Sequence, residues 1–464
     1  MSANATGWTD KIADFVVRTA FAELPLEVVE RAKVPIADTL GTMAAGTADE
    51  AGEWAMEYAE SLGRPRSRPW IGIDEPLPPD VTAMLSATLA HALDFDDVLP
   101  GAGHPSAPVL SAILATAGSA PLSGQRLIEA YVVGIEVMRC ISRAVGHLHY
   151  KQGWHTTSTI GVFAAAAASA KIRGSDHRQV ARTLGIAASL AGGLQRNFGT
   201  ATKPLHSGFA ARNGVLAAHL AATGFTASEN IFDGPRNFFE VYGAGGQRPE
   251  ELDRLGAPFA LLDPGISLKK YACAFELYRA MDAVLELQEA SPLAASDLAE
   301  LRCTVPPGTT GPLINRWPET GMEAKFSLEF GLAVAFVDGG ISIGSFDDAA
   351  PARDDVRAIA SRIVVEEDVR VRPEDPEGLN SSASSGGFVE VVMRMTDGSE
   401  RRAVVNHARG MPARPLTSEE IRGKFLACER VGGRIEQDAL DLFERLGNLE
   451  AEKDVGAMLR HPHV

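Results

Sequence analysis

The chain has 464 residues, of which 45% are hydrophobic and 22% charged, so it can form a sizeable core and is not a disordered sequence. Its 60 acidic and 44 basic residues give a net charge of −16, which repels phosphate backbones and anionic lipid. Four scattered cysteines without a Cys-x-x-Cys pair argue against a disulfide framework or a cysteine zinc site. We therefore expect a cytoplasmic globular protein that binds neither nucleic acid nor a membrane.

The first half of the chain predicts a large, all-helical domain. Its Ala-, Leu- and Val-rich segments lack the period-2 alternation of strands and have the composition of closely packed helices. The predicted helices span residues 80–93, 125–145, 160–173, 179–194 and 212–223. We expect this domain to cover residues 1–265 and to be joined by the C-terminal helices of residues 412–464, which begin at a capping-box pattern at Thr417.

The remaining segment, residues 266–411, predicts a smaller α+β domain. Short β-branched runs at 301–305, 362–365 and 369–372 indicate strands, and helical patterns occupy 275–289 and 323–337. The runs 388–395 and 401–405 predict a hairpin, because the Asp397-Gly398 pair between them favours a type I′ turn. The Ser- and Gly-rich residues 373–387 predict a mobile loop. The fold class is therefore predicted to be mainly α.

A cluster of carboxylates lies beside histidines at the end of the first predicted helix. Asp94, Asp96 and Asp97 follow one another within four residues, and His104 comes shortly after them. The cluster is open to three interpretations: a solvated helix end, a set of magnesium ligands, or a carboxylate that holds His104 in one tautomer. We favour the last, because a general acid or base needs such an orienting partner.

A second polar segment, residues 147–158, directly precedes an apolar helix. It contains Tyr150, His155 and Thr156, and free backbone N–H groups at such a helix start favour an anion. A purely structural alternative is that Thr156 or Ser158 caps the helix.

Lysines mark the two remaining polar segments. Lys203 lies between threonines and is followed by His206, which suggests a cation at a cleft. Lys269 and Lys270 lie at the predicted boundary between the helical domain and the second domain. Histidines, lysines, a tyrosine and an aspartate, without a metal motif, indicate proton transfer on an anionic substrate, because cations stabilise an enolate-like transition state.

These segments, in their order along the chain, resemble the MmgE/PrpD family. The resemblance rests on HALDFDD (91–97), GHP (103–105), GWHTTSTIG (153–161), TKPLHSGFAARNG (202–214), LKKY (268–271), EAKFSLEF (323–330) and GMPARPLT (410–417). It implies a two-domain, mostly helical homodimer with an α+β lid and no cofactor. The family includes 2-methylcitrate dehydratases, cis-aconitate decarboxylases and iminodisuccinate epimerases, which all work next to a carboxylate of a small acid.

The resemblance also implies roles for individual residues. Asp94, His104, His155 and Lys203 match the active-site motif positions, and Lys269 matches the lid-side lysine. Tyr150 falls where epimerase-like members place a functional tyrosine.

Three positions depart from the family pattern. Decarboxylase-like members carry a histidine where this chain has Ala274, relatives often carry threonine where it has Val98, and Leu313 replaces a tyrosine. Lost polar groups would leave part of a tricarboxylate without partners, which argues against cis-aconitate as the substrate.

The leading hypothesis is a cofactor- and metal-independent hydro-lyase, similar to 2-methylcitrate dehydratase, that acts on a small di- or tricarboxylic acid. His104 and His155 are the expected base and acid, and Tyr150 is a second proton carrier. Lys203 and Lys269 complete the predicted catalytic residues. The predicted substrate-binding residues are Asp94, Thr156, Lys203, His206, Lys269 and Lys270. The alternatives are an epimerase, a decarboxylase, a magnesium-dependent enzyme that uses the aspartates, and a degenerate homodimer that only binds a carboxylate.

Overall fold

The computed structural model describes residues 7–62, 77–375, 384 and 386–459. The α-helices of these residues are α1 (Trp8–Arg18), α2 (Leu26–Ala45), α3 (Glu50–Ser61), α4 (Pro79–Ala92), α5 (Ser106–Ala117), α6 (Gly124–Val145), α7 (Leu148–Lys151), α8 (Thr156–Thr159), α9 (Gly161–Arg173), α10 (His177–Ala188), α11 (Thr202–Ala222), α12 (Phe238–Tyr242), α13 (Tyr278–Ala290), α14 (Gly321–Ala324), α15 (Leu328–Asp338), α16 (Asp354–Ala360), α17 (Ser418–Val431), α18 (Glu436–Gly447) and α19 (Val455–Leu459). The strands are β1 (Leu298–Val305), β2 (Ile363–Glu367), β3 (Val389–Met395) and β4 (Glu400–Val405). The mainly α class is confirmed.

The chain forms two compact units. The first consists of Met1–Gln195, Pro204–Leu268 and Thr417–Val464, and the second consists of Arg196–Lys203 and Lys269–Leu416. The first unit is thus assembled from three separated stretches of chain. That the second unit acts as a lid stays a prediction.

The core of the first unit is built around α9. Its five successive alanines from Ala164 to Ala168 are fully buried, and α5, α6 and α10 pack around the helix. Small side chains allow this close packing on every face. The C-terminal α17 packs on α2, where the ring of Phe425 lies against Gly41. Thr417 caps α17 as predicted, with Glu420 completing the capping box.

The second unit contains one mixed sheet with strand order β2-β1-β3-β4. β1 pairs with β2 in parallel, whereas β1–β3 and β3–β4 are antiparallel. α13 packs on β3 and β4, and α15 packs on β2. On alternate positions of β1 and β3, side chains such as Cys303 and Val391 are fully buried.

Two local predictions in the second unit are wrong. The run 369–372 is a 3-10 turn, Val369–Val371, because the Asp368 side chain accepts from the N–H of Arg370 and starts the turn. The hairpin forms, but not through a type I′ turn: among the described residues of the turn only Gly398 has a positive φ (85°). The Asp397 carboxylate instead accepts from the Ser399 N–H.

Helix boundaries differ from the expected ones in three places. The helix predicted to begin at residue 212 begins at Thr202, and the one predicted to reach 194 ends at Ala188. The pattern 323–337 forms two helices, because Ser327 caps α15 and starts it anew. Most of the predicted mobile loop at 373–387 lies outside the described residues. In the part of the chain that the structure describes, no helix is long and apolar enough to cross a membrane.

Candidate functional site

The first part of the candidate site is the loop between α4 and α5. Asp94 lies two residues beyond the end of α4 in a left-handed conformation (φ 48°), and its N–H donates to the carbonyl of His91. Farther along, Val98 forms a backbone bridge with Ser267. At the end of the loop, Asp97 accepts from the N–H of Ser106, at 3.2 Å, and from its hydroxyl. These bonds hold Asp97 against the first residue of α5.

His104 lies between two carboxylates of this loop. Its Nδ1 is 3.3 Å from Asp96 Oδ1, and its Nε2 is 3.6 Å from Asp94 Oδ1. The same Asp96 oxygen accepts from Nδ1 of His91 at 2.8 Å, and the His91 and His104 rings are 4.2 Å apart. All four side chains are buried. Asp96 is thus the closer carboxylate, although its contact with Nδ1 does not have hydrogen-bond geometry, and the predicted orienter Asp94 lies beyond hydrogen-bond distance.

The pKa values of the neighbouring Asp96 and Asp97 carboxyl groups are shifted in opposite directions. Burial would raise the pKa of Asp96, but the imidazoles of His91 and His104 outweigh it and hold that pKa well below its usual range. Asp97 lacks such a cation, and burial raises its pKa well above the usual range although the Ser106 hydroxyl opposes the shift. The Ser106 hydroxyl is also 2.5 Å from the Tyr131 hydroxyl. The contacts of Asp96 therefore favour its ionised form, whereas burial disfavours the ionised form of Asp97.

A second histidine pair adjoins the first. His155 and His206 face each other with 3.0 Å between their Nδ1 atoms, so one nitrogen must donate to the other. The His155 ring stacks at 6.3 Å from that of His91, so the four histidines form one buried cluster. His155 occupies the N-cap position of α8 without a side-chain cap bond, and Thr156 is the first residue of that helix. Neither proposed hydroxyl cap occupies this position.

Thr157 connects the two parts of the cluster. Its hydroxyl accepts from the backbone N–H of His104 at 3.0 Å. Gly103 allows this approach, because a Cβ there would lie 2.5 Å from the same hydroxyl and its φ is 90°.

The predicted lysines belong to the second unit, where Lys203 and Lys269 are buried. The Lys203 ammonium lies 5.1 Å from the ring centre of Phe326 and 5.6 Å from that of Phe198, within cation–π range. Lys270 is half-buried and lies 5.7 Å from the Tyr271 ring.

The position that departs from the decarboxylase-like pattern is also in the second unit. Ala274 is buried, and its N–H donates to the carbonyl of Lys325. Nearby, the Tyr271 hydroxyl donates to Asp282, and burial raises the pKa of this tyrosine.

Tyr150 lies on α7 in the first unit. Its ring stacks on that of His147 at 6.1 Å, and its carbonyl accepts from the Gln195 side chain. Its role as a proton carrier stays a prediction.

Sequence reasoning assigned no role to His91 or Thr157 and gave Asp96 one only as a possible magnesium ligand, whereas the structure places all three beside His104. The spacing of His91 and Asp96 within one motif, across a helix end, was the available signal. For Thr157 the only signal in the sequence was its position two residues after His155.

Four residues could supply ligands to a metal ion: His91, Asp94, Asp96 and His104 each offer one atom, and these atoms lie within 4.8 Å of one another. Two imidazoles with two carboxylates suit a transition metal better than magnesium. Asp97, part of the magnesium interpretation, is directed to Ser106 instead.

The chain matches two family descriptions, the MmgE/PrpD N-terminal domain over residues 10–251 and the MmgE/PrpD C-terminal domain over residues 271–446. It is 28% identical to the cis-aconitate decarboxylase of Homo sapiens over 432 residues, which cover 90% of this chain and 87% of that protein. It is 26% identical to the cis-aconitate decarboxylase of Aspergillus terreus over 446 residues, 90% of this chain and 89% of the relative. With matching models over both halves, the chain belongs to the MmgE/PrpD family.

Proposed function

We propose that this protein is a lyase that cleaves a bond next to a carboxylate of a small di- or tricarboxylic acid. The observation that carries the proposal is His104, buried between Asp94 and Asp96 beside a second histidine pair. Such a cluster supplies a positioned imidazole that can act as a general acid or base.

The contacts of His104 assign its two nitrogens different tasks. The negative charge of Asp96, 3.3 Å from Nδ1, favours a proton on that nitrogen and leaves Nε2 as the proposed nitrogen that exchanges a proton with the substrate. Asp94, at 3.6 Å from Nε2, stabilises the imidazolium once it forms. Asp96 and Asp94 therefore act on the two protonation states of one residue.

The pair of His155 and His206 supplies a second proton carrier. One of the two facing Nδ1 atoms carries the shared proton, so the Nε2 atom of the other histidine must hold a proton when both rings are neutral. A lyase needs one group that takes a proton and another that gives one, and the two histidine pairs meet that requirement.

Decarboxylation is the reaction that we expect first. The chain aligns along nine-tenths of its length with proteins named cis-aconitate decarboxylase, so these relatives favour carbon–carbon cleavage over the dehydration predicted from the sequence. In that reaction the bond to one carboxylate breaks, CO2 leaves, and its electron pair passes to the adjacent unsaturated carbon skeleton. An imidazolium then donates its proton to carbon and becomes neutral, which balances the reaction. Lys203 and Lys269 are the proposed anchors for the remaining carboxylates.

Dehydration is the second candidate, and Ala274 favours it. A methyl group stands where decarboxylase-like members carry a histidine, so one proton donor of that reaction is missing. In dehydration, one histidine would take the proton from the carbon next to a carboxylate, and the other would protonate the leaving hydroxide, which departs as water.

Proton NMR in D₂O separates these reactions. The purified protein is incubated with cis-aconitate, methylcitrate, citrate and iminodisuccinate. Loss of a carboxylate as CO2 with a new alkene product supports decarboxylation, and loss of an α-proton signal with a new vinyl signal supports dehydration. Loss of the α-proton signal without a new compound indicates epimerisation and contradicts the lyase.

Variants link the observed reaction to the site. His104→Gln should abolish turnover. His177→Gln replaces an exposed histidine on α10 and should leave turnover unchanged, so it is the matched control. Full activity of the His104 variant would refute the proposed chemistry.

A further inference from the structure

A lysine from the C-terminal part of the first unit reaches the loop that carries Asp94 and Asp96. Lys424 lies on α17 and is almost fully buried. Its ammonium donates to the backbone carbonyl of Phe95 at 2.7 Å and contacts both carboxylate oxygens of Asp38 on α2, at 2.7 and 2.9 Å. It also lies 4.0 Å from the centre of the Phe95 ring. One ammonium group thus ties together two helices and one peptide of the loop.

The Phe95 peptide, whose carbonyl accepts from Lys424, follows a residue with an unfavourable backbone conformation. Phe95 separates the two carboxylates that flank His104, and its predecessor Asp94 has a left-handed backbone that residues other than glycine rarely adopt. Such a conformation persists only when its surroundings impose it. The bridge of Val98 and the bonds of Asp97 hold the loop beyond this point, whereas Lys424 holds the Phe95 peptide itself.

We propose that Lys424 is a positioning residue that fixes the Phe95 peptide and thereby directs Asp94 and Asp96 to the two ring nitrogens of His104. Its kinetic consequence rests on the proposed function, but its structural consequence does not. Lys424 makes no contact with the reacting atoms in this assignment and acts through the backbone.

Asp38 separates a positioning role from a purely electrostatic one. Burial raises the pKa of Asp38 although Lys424 opposes the shift. The double variant Asp38→Asn/Lys424→Met removes both charges of the ion pair together, so the net charge near Asp96 is unchanged, whereas the bond to the Phe95 carbonyl is lost. In Asp38→Asn, by contrast, the ion pair is lost and the bond to Phe95 remains.

Hydrogen exchange measured by mass spectrometry tests the structural part on the full chain without any substrate. We expect Lys424→Met to speed amide exchange in peptides from residues 93–105 by about 10- to 100-fold, the loss of one charge-assisted hydrogen bond. Asp38→Asn should change it little. The double variant Asp38→Asn/Lys424→Met leaves no unpaired buried carboxylate, so it should fold, and it should release the loop as the single lysine variant does.

Arg434→Met is the matched control. Arg434 follows α17 and forms another buried ion pair, with Glu429 at 2.8 Å, which does not involve the loop. The Arg434→Met variant should have a lower melting temperature, but amide exchange in residues 93–105 should not become faster. Unchanged exchange in both lysine variants, or equally fast exchange in the Arg434 variant, would overturn the proposal.

The kinetic part uses the substrate identified by NMR. The double variant should lose about tenfold or more in kcat with little change in KM, since the substrate anchors are intact, and Asp38→Asn should keep most of kcat. An unchanged kcat in the double variant also overturns the role. If the wild type turns over none of the acids, the proposed function fails, and exchange alone decides the role of Lys424.

Discussion

The adjacent carboxylates Asp96 and Asp97 should differ sharply in their effect on catalysis. Both are buried, and both are replaced by asparagine of nearly the same shape. Asp96→Asn removes a carboxylate that faces His91 and His104, whereas Asp97→Asn replaces a group that faces Ser106 and whose pKa burial raises. The pair therefore compares a carboxylate that contacts the histidines with one of the same shape that does not.

The expected size of the Asp96 effect follows from its distance to His104. At 3.3 Å and an effective dielectric constant of about 20, two unit charges interact by about 5 kcal/mol, which is an upper value for the loss. General acid–base catalysis contributes about 10²- to 10⁴-fold, or about 3–5 kcal/mol. We expect Asp96→Asn to reduce kcat within that range. Asp97→Asn should stay within about tenfold of the wild type, because an amide can still accept from the Ser106 N–H and donate to its hydroxyl.

The assay is turnover followed by proton NMR, together with the ¹⁵N shifts of labelled histidine rings. The shifts report which nitrogen of His104 carries its proton, and Asp96→Asn should alter the tautomer of this ring. Thermal melts confirm that both variants are folded. Equal kcat values for the two variants, or a fully active Asp96→Asn, would refute the idea that the Asp96 charge orients His104.

Three further predictions concern substrate binding, pH and metal. Lys203→Met should raise KM about 10- to 100-fold with a smaller effect on kcat, as expected for a lost carboxylate anchor, and steady-state kinetics will show whether KM stays constant instead. Burial lowers the pKa of His149 to about 4, against the opposing bond to the Tyr242 carbonyl, so the stability it contributes is complete above pH 6.5 and falls by about 3 kcal/mol as the pH drops to 4. Urea unfolding at pH 7.5 and 4.5 should show this loss in the wild type and a smaller one in His149→Asn; parallel curves would contradict it. Prolonged EDTA treatment should leave turnover unchanged, because Asp96 Oδ1 already accepts from Nδ1 of His91, and a stoichiometric metal in elemental analysis would oppose this expectation.

Local sequence patterns predicted most of the helices but only part of the site. The alanine-rich α9 was identifiable because composition alone separates such a helix from a strand. His104 and His155 were identifiable because they lie in motifs with an unusual density of polar groups. The β-branched run at Val369–Val371 was wrongly predicted as a strand, because the side-chain cap from Asp368 outweighs strand propensity over so short a segment.

Contacts between distant segments could not be predicted from local patterns. Nothing around Lys424 distinguishes it from a surface lysine on a polar helix, since its partners Asp38 and Phe95 lie more than 300 positions earlier. The different contacts of Asp96 and Asp97 could not be predicted from local patterns either. Their order in the motif is the same in either assignment, and only the direction of each side chain in the folded loop decides which one meets His104.

The three-part construction of the first unit has a consequence during protein synthesis. Asp38 and Lys424 are 386 positions apart, so at about 5–20 residues per second the ribosome makes the lysine roughly 20–80 s after the aspartate. Throughout this interval the face of α2 around Gly41 lacks the cover of Phe425, and the nascent chain carries an apolar surface that α17 later buries. Chaperones that bind such surfaces have access during this interval, and a translational pause before α17 would lengthen it.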